Sequence, residues 1–379
     1  METAHEVLLA LAGRYAFGEV AALVAAGAGD GLTPRSAAQV QQLCAFGQRL
    51  LDLDAEDFGT PDATAGANTD TSLADAFTAQ AGSATSPASR SATRAAEAIP
   101  GALLRRARAS RMPQSPDEQP RGALESLVPA YRLLLEVIAV RWSRRETAAL
   151  VAAVHIASEY APLLAWESVL GHAGDPYRLT AFVSVPGSRF GTPDGDHLCA
   201  HRTNDRAAGR RLLRLTRGTA ELAPDGLRRW REYLDRQHSR VSHALAVCAA
   251  ECAHPCTVIS QLSDSDISTL RHRCRLALAY ADSPFVRLRH SAPVGHAFGV
   301  PSPREVADAW AGSREHLGRG ARRDDGYPLP GLPGFFADLA GVQLTPDTLI
   351  ADTAQALSQA LSQALSGAAG TATVPAAVA

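Results

Sequence analysis

The chain contains no lysine: all 37 of its basic residues are arginine. Schiff-base catalysis, a lysine-anchored pyridoxal phosphate, the Walker-type phosphate loop and the protein-kinase site each need an ammonium group that a guanidinium does not replace. Those four chemistries are excluded. Abundant alanine, arginine and glycine beside scarce asparagine point to GC-rich coding as the cause, which suggests a bacterial source. Aromatic residues are also few, at 6% of 379 positions, and six cysteines are too few to staple a chain of this length. Nor does either sign of charge prevail. The 39 acidic residues leave a net charge of −2, with no general attraction to phosphate backbones or anionic bilayers, so neither a nucleic-acid nor a membrane partner is expected. A basic-then-apolar leader pattern is missing, as is a continuous run of about 18 apolar residues, and the expected location is the cytoplasm with reduced thiols.

What is present is a globular composition. Hydrophobic residues make up 46% of the chain, and the length suits one large or two ordinary domains at about 150 residues each. Apolar residues at three- and four-residue intervals predict a helix over residues 4–28 and a second from Pro34 to Leu53, with Thr33 as its N-cap. Residues 59–121 turn to alanine, serine, threonine, glycine and proline, which is the chemistry of a flexible linker or insertion. The segment Val128 to Trp142 is apolar nearly all round and predicts a helix surrounded by others. Ser143 and Glu146 have capping-box spacing, so a further helix is expected from there through Val169, with a kink at Pro162.

Residues 173–205 are the least helical, with a short β-like run at Leu179 to Val185. A long helix capped by Asp225 is expected to reach Pro255, followed by helices from about Asp266, from Pro284 and from Pro303. Leu357, Leu361 and Leu365 form a thin stripe ended by Gly367, too short for a coiled coil and suited to a docking helix. The reading is an all-α protein divided into amino-terminal helices (1–58), the linker (59–121), a helical core (122–347) and a carboxyl-terminal docking helix with tail (348–379).

Three groups of residues bear chemistry. Cys248, Cys252, His254 and Cys256 include two thiols one helical turn apart, a geometry able to hold a soft metal; the same stripe carries Trp230 and Leu245, where a cysteine serves as a small buried hydrophobe. His155 and Glu159 stand one turn apart, but neither the Glu-x-x-His spacing of a di-iron site nor a second copy of such a unit is present. His155 is then either a hydrogen-bonded core residue or one facing an internal pocket. The third group is the stretch from Phe285 to Pro301, with Arg287, His290, Val294 and Gly299 at fixed intervals and His296 six residues after His290.

Those four positions resemble the proximal heme segment of the tryptophan 2,3-dioxygenase superfamily, in which a helix carries Arg-x-x-His followed by valine and glycine. The match covers some thirteen residues, and Pro293 and Gly295 depart from a continuing helix. The resemblance implies a helical bundle of that type binding heme b, with His290 as the axial iron ligand. It also implies Arg287 or Arg289 near a propionate and Phe298 among the ring-packing residues. A branch of the superfamily hydroxylates tyrosine and has a second axial histidine somewhat under forty residues upstream, a place that His254 approximates. The cysteine that some members link to the porphyrin falls at Val294, so no covalent attachment is expected.

On this resemblance the chain is a heme-dependent oxygenase, a hydroxylase or dioxygenase, using dioxygen on an aromatic amino acid or related small metabolite in bacterial specialised metabolism. His155 or His254 would act on the distal side, Arg132 or Arg141 would bind the substrate carboxylate, and a homo-oligomer is an option. Two alternatives stay open. One is a non-heme metal protein using the cysteine cluster with His254. The other is a non-catalytic helical interaction protein, binding through residues 59–121 and the leucine stripe at 355–366.

Overall fold

The computed structural model describes residues 4–28, 31–55, 99–113, 124–179, 183–184, 201–202, 212–215, 224–236, 238–251, 257–291 and 299–369. The chain is mostly helical and forms two compact units: Met1–Arg111 with Asp347–Ala379, and Met112–Pro346.

The first unit starts with α1 (Ala4–Gly13) and α2 (Phe17–Ala25), where a single helix was expected. The break falls at Tyr15, whose φ of 59° is left-handed and ends the α1 hydrogen-bond ladder. Next come α3 (Pro34–Leu51) and α4 (Gly101–Ala109). Thr33 caps α3 as expected, its hydroxyl accepting from the Ser36 amide at 3.2 Å. The last helix of the chain, α16 (Leu349–Ala369), closes this unit by packing on α1, α3 and α4. It continues past Gly367, which therefore does not end it. Leu357 and Leu361 of the stripe are fully buried, so the unit covers that stripe itself. Arg106 on α4 fastens the start of α16, donating at 2.5 Å to both Asp347 and Asp352.

The second unit is built around α5 (Val128–Ser143) and α6 (Thr147–Leu170). After the turn α7 (Pro176–Leu179), three short strands, β1 (Val183–Ser184), β2 (His201–Arg202) and β3 (Leu212–Leu215), pair antiparallel in the order β1-β3-β2. β1 and β2 fall within residues 173–205, where the sequence turns least helical, and β3 lies beyond that stretch. Helices α8 (Pro224–Arg236), α9 (His238–Glu251), the turn α10 (Thr257–Ser260) and α11 (Asp264–Ala281) follow. The single helix predicted from Asp225 is described in two stretches, α8 and α9, with residue 237 between them outside the described residues, and Asp225 lies inside the first turn of α8 rather than before it. Then come α12 (Pro284–Ser291), α13 (Pro303–Arg314), the turn α14 (Gly318–Ala321) and α15 (Leu332–Ala340). Ser302 closes a full capping box with Glu305 at the start of α13.

Helix α6 is the axis of this unit, touching α5, α9, α11, α12, α13 and α15. Its polar backbone groups draw in neighbouring rings. The Tyr131 hydroxyl on α5 donates to the Ala157 carbonyl at 2.6 Å, and the Trp166 indole donates to the Leu245 carbonyl on α9 at 2.9 Å. The helix runs through Pro162, and although His155, Ser158 and Glu159 interrupt its apolar residues, by length and composition it is apolar enough to cross a membrane. Within the protein 67% of its apolar window is buried, which is how a core helix covers its surface.

The expected capping box at Ser143 does not form. α5 extends through Ser143, whose hydroxyl donates to the Val140 carbonyl, while Glu146 pairs with Arg141 and, at 2.6 Å, with Arg144. Two guanidiniums outcompete a backbone amide for that carboxylate.

Candidate functional site

The polar group that the second unit assembles around α6 centres on Glu159. His155 precedes it by one helical turn, so both side chains lie on one face of α6. Its other partner, His238, opens helix α9, which packs along α6. The two carboxylate oxygens of Glu159 are divided between them: Oε1 lies 3.3 Å from His155 Nε2, and Oε2 lies 3.2 Å from His238 Nε2. Ser242, one turn into α9, donates to the Glu159 carbonyl at 2.6 Å, tying the helices at the same residue. The His238 ring lies nearly parallel to Tyr160, with centroids 5.0 Å apart and planes 10° from parallel.

Burial by itself would raise the Glu159 carboxyl's pKa, but hydrogen bonds and charge from the two imidazoles outweigh it and hold the group down at about 2. The carboxylate is therefore ionised across the range where imidazoles titrate. Since the folded-state value lies below the reference of 4.5, Glu159 contributes stability in full above that pH and loses it as pH falls through about 2. The side chains keep contact with water to unequal extents: His155 is 13% exposed, Glu159 27% and His238 33%.

The described arginines singled out by sequence make other contacts. Arg141 pairs with Glu146, and Arg132 is exposed and donates to the Gln343 carbonyl at 3.4 Å. The two lie nine positions apart on α5, a rise of about 13 Å. Arg287 is 64% exposed and pairs with Asp282 at 3.5 Å, and Arg289 is half-buried on the same helix. The backbone of His290 lies in the last turn of α12. His254, Cys252, Cys256, Val294, His296 and Phe298 lie outside the described residues.

Of the described residues near the resemblance, Phe285 is fully buried with its ring 5.2 Å from that of Trp310, and Arg287 pairs with Asp282, while the side chain of His290 lies outside the described residues. Of the cysteine group, Cys248 is buried in α9 as a core residue. Burial likewise raises the thiol of Cys44, to about 12, and that of Cys274, so both are inert. Among the described residues no set of three or more His, Cys, Asp and Glu side chains is arranged to hold a metal ion.

The pair His155 and Glu159 is legible in the sequence from its spacing. Its partner His238 was not found by sequence reasoning, because it lies 79 residues from Glu159 and no local signal links them. The class that fold and site define is a mostly helical protein with a carboxylate shared by two imidazoles. No family model matches the chain, and neither a curated protein nor a solved structure matches it.

Proposed function

We propose that the unit Met112–Pro346 is the core of an enzyme that transfers protons on a small molecule by general acid–base catalysis, with the Glu159 group as its working site. The observation that carries this reading is the division of one ionised carboxylate between two imidazole Nε2 atoms at 3.2 and 3.3 Å, in a group that retains contact with solvent. A carboxylate that accepts from Nε2–H selects that tautomer and stabilises the imidazolium form of the ring. Burial in an apolar core of helices strengthens each of these interactions relative to water.

Long-range proton–nitrogen NMR on the full chain tests the proposal. In the wild type, His155 and His238 are expected in the Nε2–H tautomer when neutral, and Glu159→Gln removes that preference from both rings together. Ring signals that do not respond to Glu159→Gln would overturn it.

A heme-dependent oxygenase acting on a small aromatic metabolite is the second reading. Its support is the spacing of Arg287, His290, Val294 and Gly299, with the first two on helix α12. Expression with heme precursor separates the two readings: a Soret band lost in His290→Ala supports the second, and a colourless protein discards it.

A further inference from the structure

We infer that His243 is an acid-sensitive release for helix α9: when its ring takes up a proton, α9 loosens from α6 and α11, and the Glu159 group that α9 completes comes apart. As a statement about the seating of α9 it stands by itself; as regulation of a catalytic site it rests on the acid–base reading. Helix α9 packs along both α6 and α11. From it His238 reaches the Glu159 carboxylate and Ser242 reaches the Glu159 carbonyl. His243 follows Ser242 directly and is half-buried. Its Nε2 is enclosed, with no hydrogen-bond partner among the described residues.

An enclosed nitrogen without a partner tolerates one form of the ring. Neutral imidazole with its proton on Nδ1 leaves only a lone pair at Nε2, whereas imidazolium puts an N–H there with no acceptor and a charge away from water. Burial holds the ring below its usual 6.5, against the carboxylates of Asp282, just past the end of α11, and Glu251 on α9 itself, which favour the proton. Those two are the charges acting on His243 among the described residues, and Asp282 is largely exposed and pairs with Arg287 of α12. The folded chain therefore binds this proton more weakly than the unfolded chain does. The contribution of neutral His243 is complete above pH 6.5 and is lost as pH falls below it.

The other ties of α9 do not share this response. The Ser242 hydroxyl, the Trp166 indole at the Leu245 carbonyl and the Arg271 guanidinium, 3.5 Å from the Ala249 carbonyl, keep their protons through mild acid. Glu159 stays ionised down to about 2, so a proton gained by His155 or His238 adds attraction to it. Among the described side chains that tie α9 down, His243 is the one that acid turns against the packing. His172, beyond the end of α6, is held at about 4 by burial and the Arg178 charge and adds a response of the same sign outside α9.

Hydrogen exchange read by mass spectrometry on the full chain, corrected for the pH dependence of intrinsic exchange, resolves α9 from the rest. From about pH 7.5 to about pH 5.5, amides of α9 are expected to lose protection by up to about tenfold, the limit set by one proton bound only in the open form. His243→Leu and His243→Gln, neither of which titrates, are expected to abolish this loss, the second substitution standing in if the first fails to fold. The response of His172 is common to wild type and variants and falls in a different peptide. Equal protection of α9 at both pH values in the wild type overturns the inference, as does a loss that persists in either folded variant. Ring signals indifferent to Glu159→Gln at neutral pH, where His243 carries no charge, overturn the acid–base reading instead and leave the release of α9 standing.

Discussion

Replacing Phe336 by alanine is expected to lower the stability of the Met112–Pro346 unit by about 3–5 kcal/mol, the cost typical of a fully buried aromatic side chain. Phe336 belongs to α15 and is wholly enclosed. Its ring meets three others: Tyr131 edge-on at 4.9 Å, Tyr280 edge-on at 5.6 Å and Phe335 at 5.3 Å. Edge-to-face contacts of this kind add to the area term, so the cavity left by alanine removes both. Two of the neighbours also carry buried hydroxyls bound to α6: Tyr131 at the Ala157 carbonyl, and Tyr280 at the Val154 carbonyl at 3.4 Å. A relaxed cavity that shifts either ring breaks a bond that water does not replace. Denaturant unfolding followed by circular dichroism measures the effect. A loss below about 1 kcal/mol, the scale of an exposed site, contradicts the core described here.

The second large effect is expected at Gly320. A Cβ added there would lie 2.2 Å from the Gly334 carbonyl oxygen and 2.6 Å from Asp338 Oδ2. The backbones of α14 and α15 approach this closely because both positions are glycine, and the Gly320 amide donates to Asp338 at 2.8 Å. Gly320→Ala must push the two segments apart and strain that bond, at a cost of about 3 kcal/mol, the upper part of the range for overpacking. Gly312, inside α13, is the matched control. Nothing lies within 4 Å of its added Cβ, and alanine there is expected to stabilise by roughly 0.5–1 kcal/mol through helix propensity. Opposite signs at two glycines eight positions apart check the backbone placement directly. The same sign at both contradicts it.

How far the sequence could be read depended on the reach of the interaction. Thr33 and Ser302 cap their helices as expected because the cap is complete within four residues. Leu357 and Leu361 of α16 are both buried for the same reason, since a helical stripe is a local property. Errors came where a distant or competing partner decides. Glu146 carries the capping-box signal but is held by Arg141 and Arg144, so the cap it would have made is missing. Tyr15 breaks an apolar pattern continuous through 4–28, just after Gly13 ends α1, where the apolar spacing outweighed the glycine in the sequence reading. Half of the candidate site was visible as His155 and Glu159. The other half needed α9 to be laid beside α6, a placement set by the packing of buried residues such as Leu245 and Trp166 rather than by any motif.

The central claim is that Glu159 is an ionised carboxylate held by two imidazoles. Titration of its side-chain carboxyl carbon by NMR, with the His155 and His238 rings followed in the same samples, tests this most directly. The account predicts a Glu159 transition near pH 2, far below an ordinary glutamate at about 4.3, with both rings responding as it protonates. A transition in the ordinary range, with neither ring responding, would contradict it.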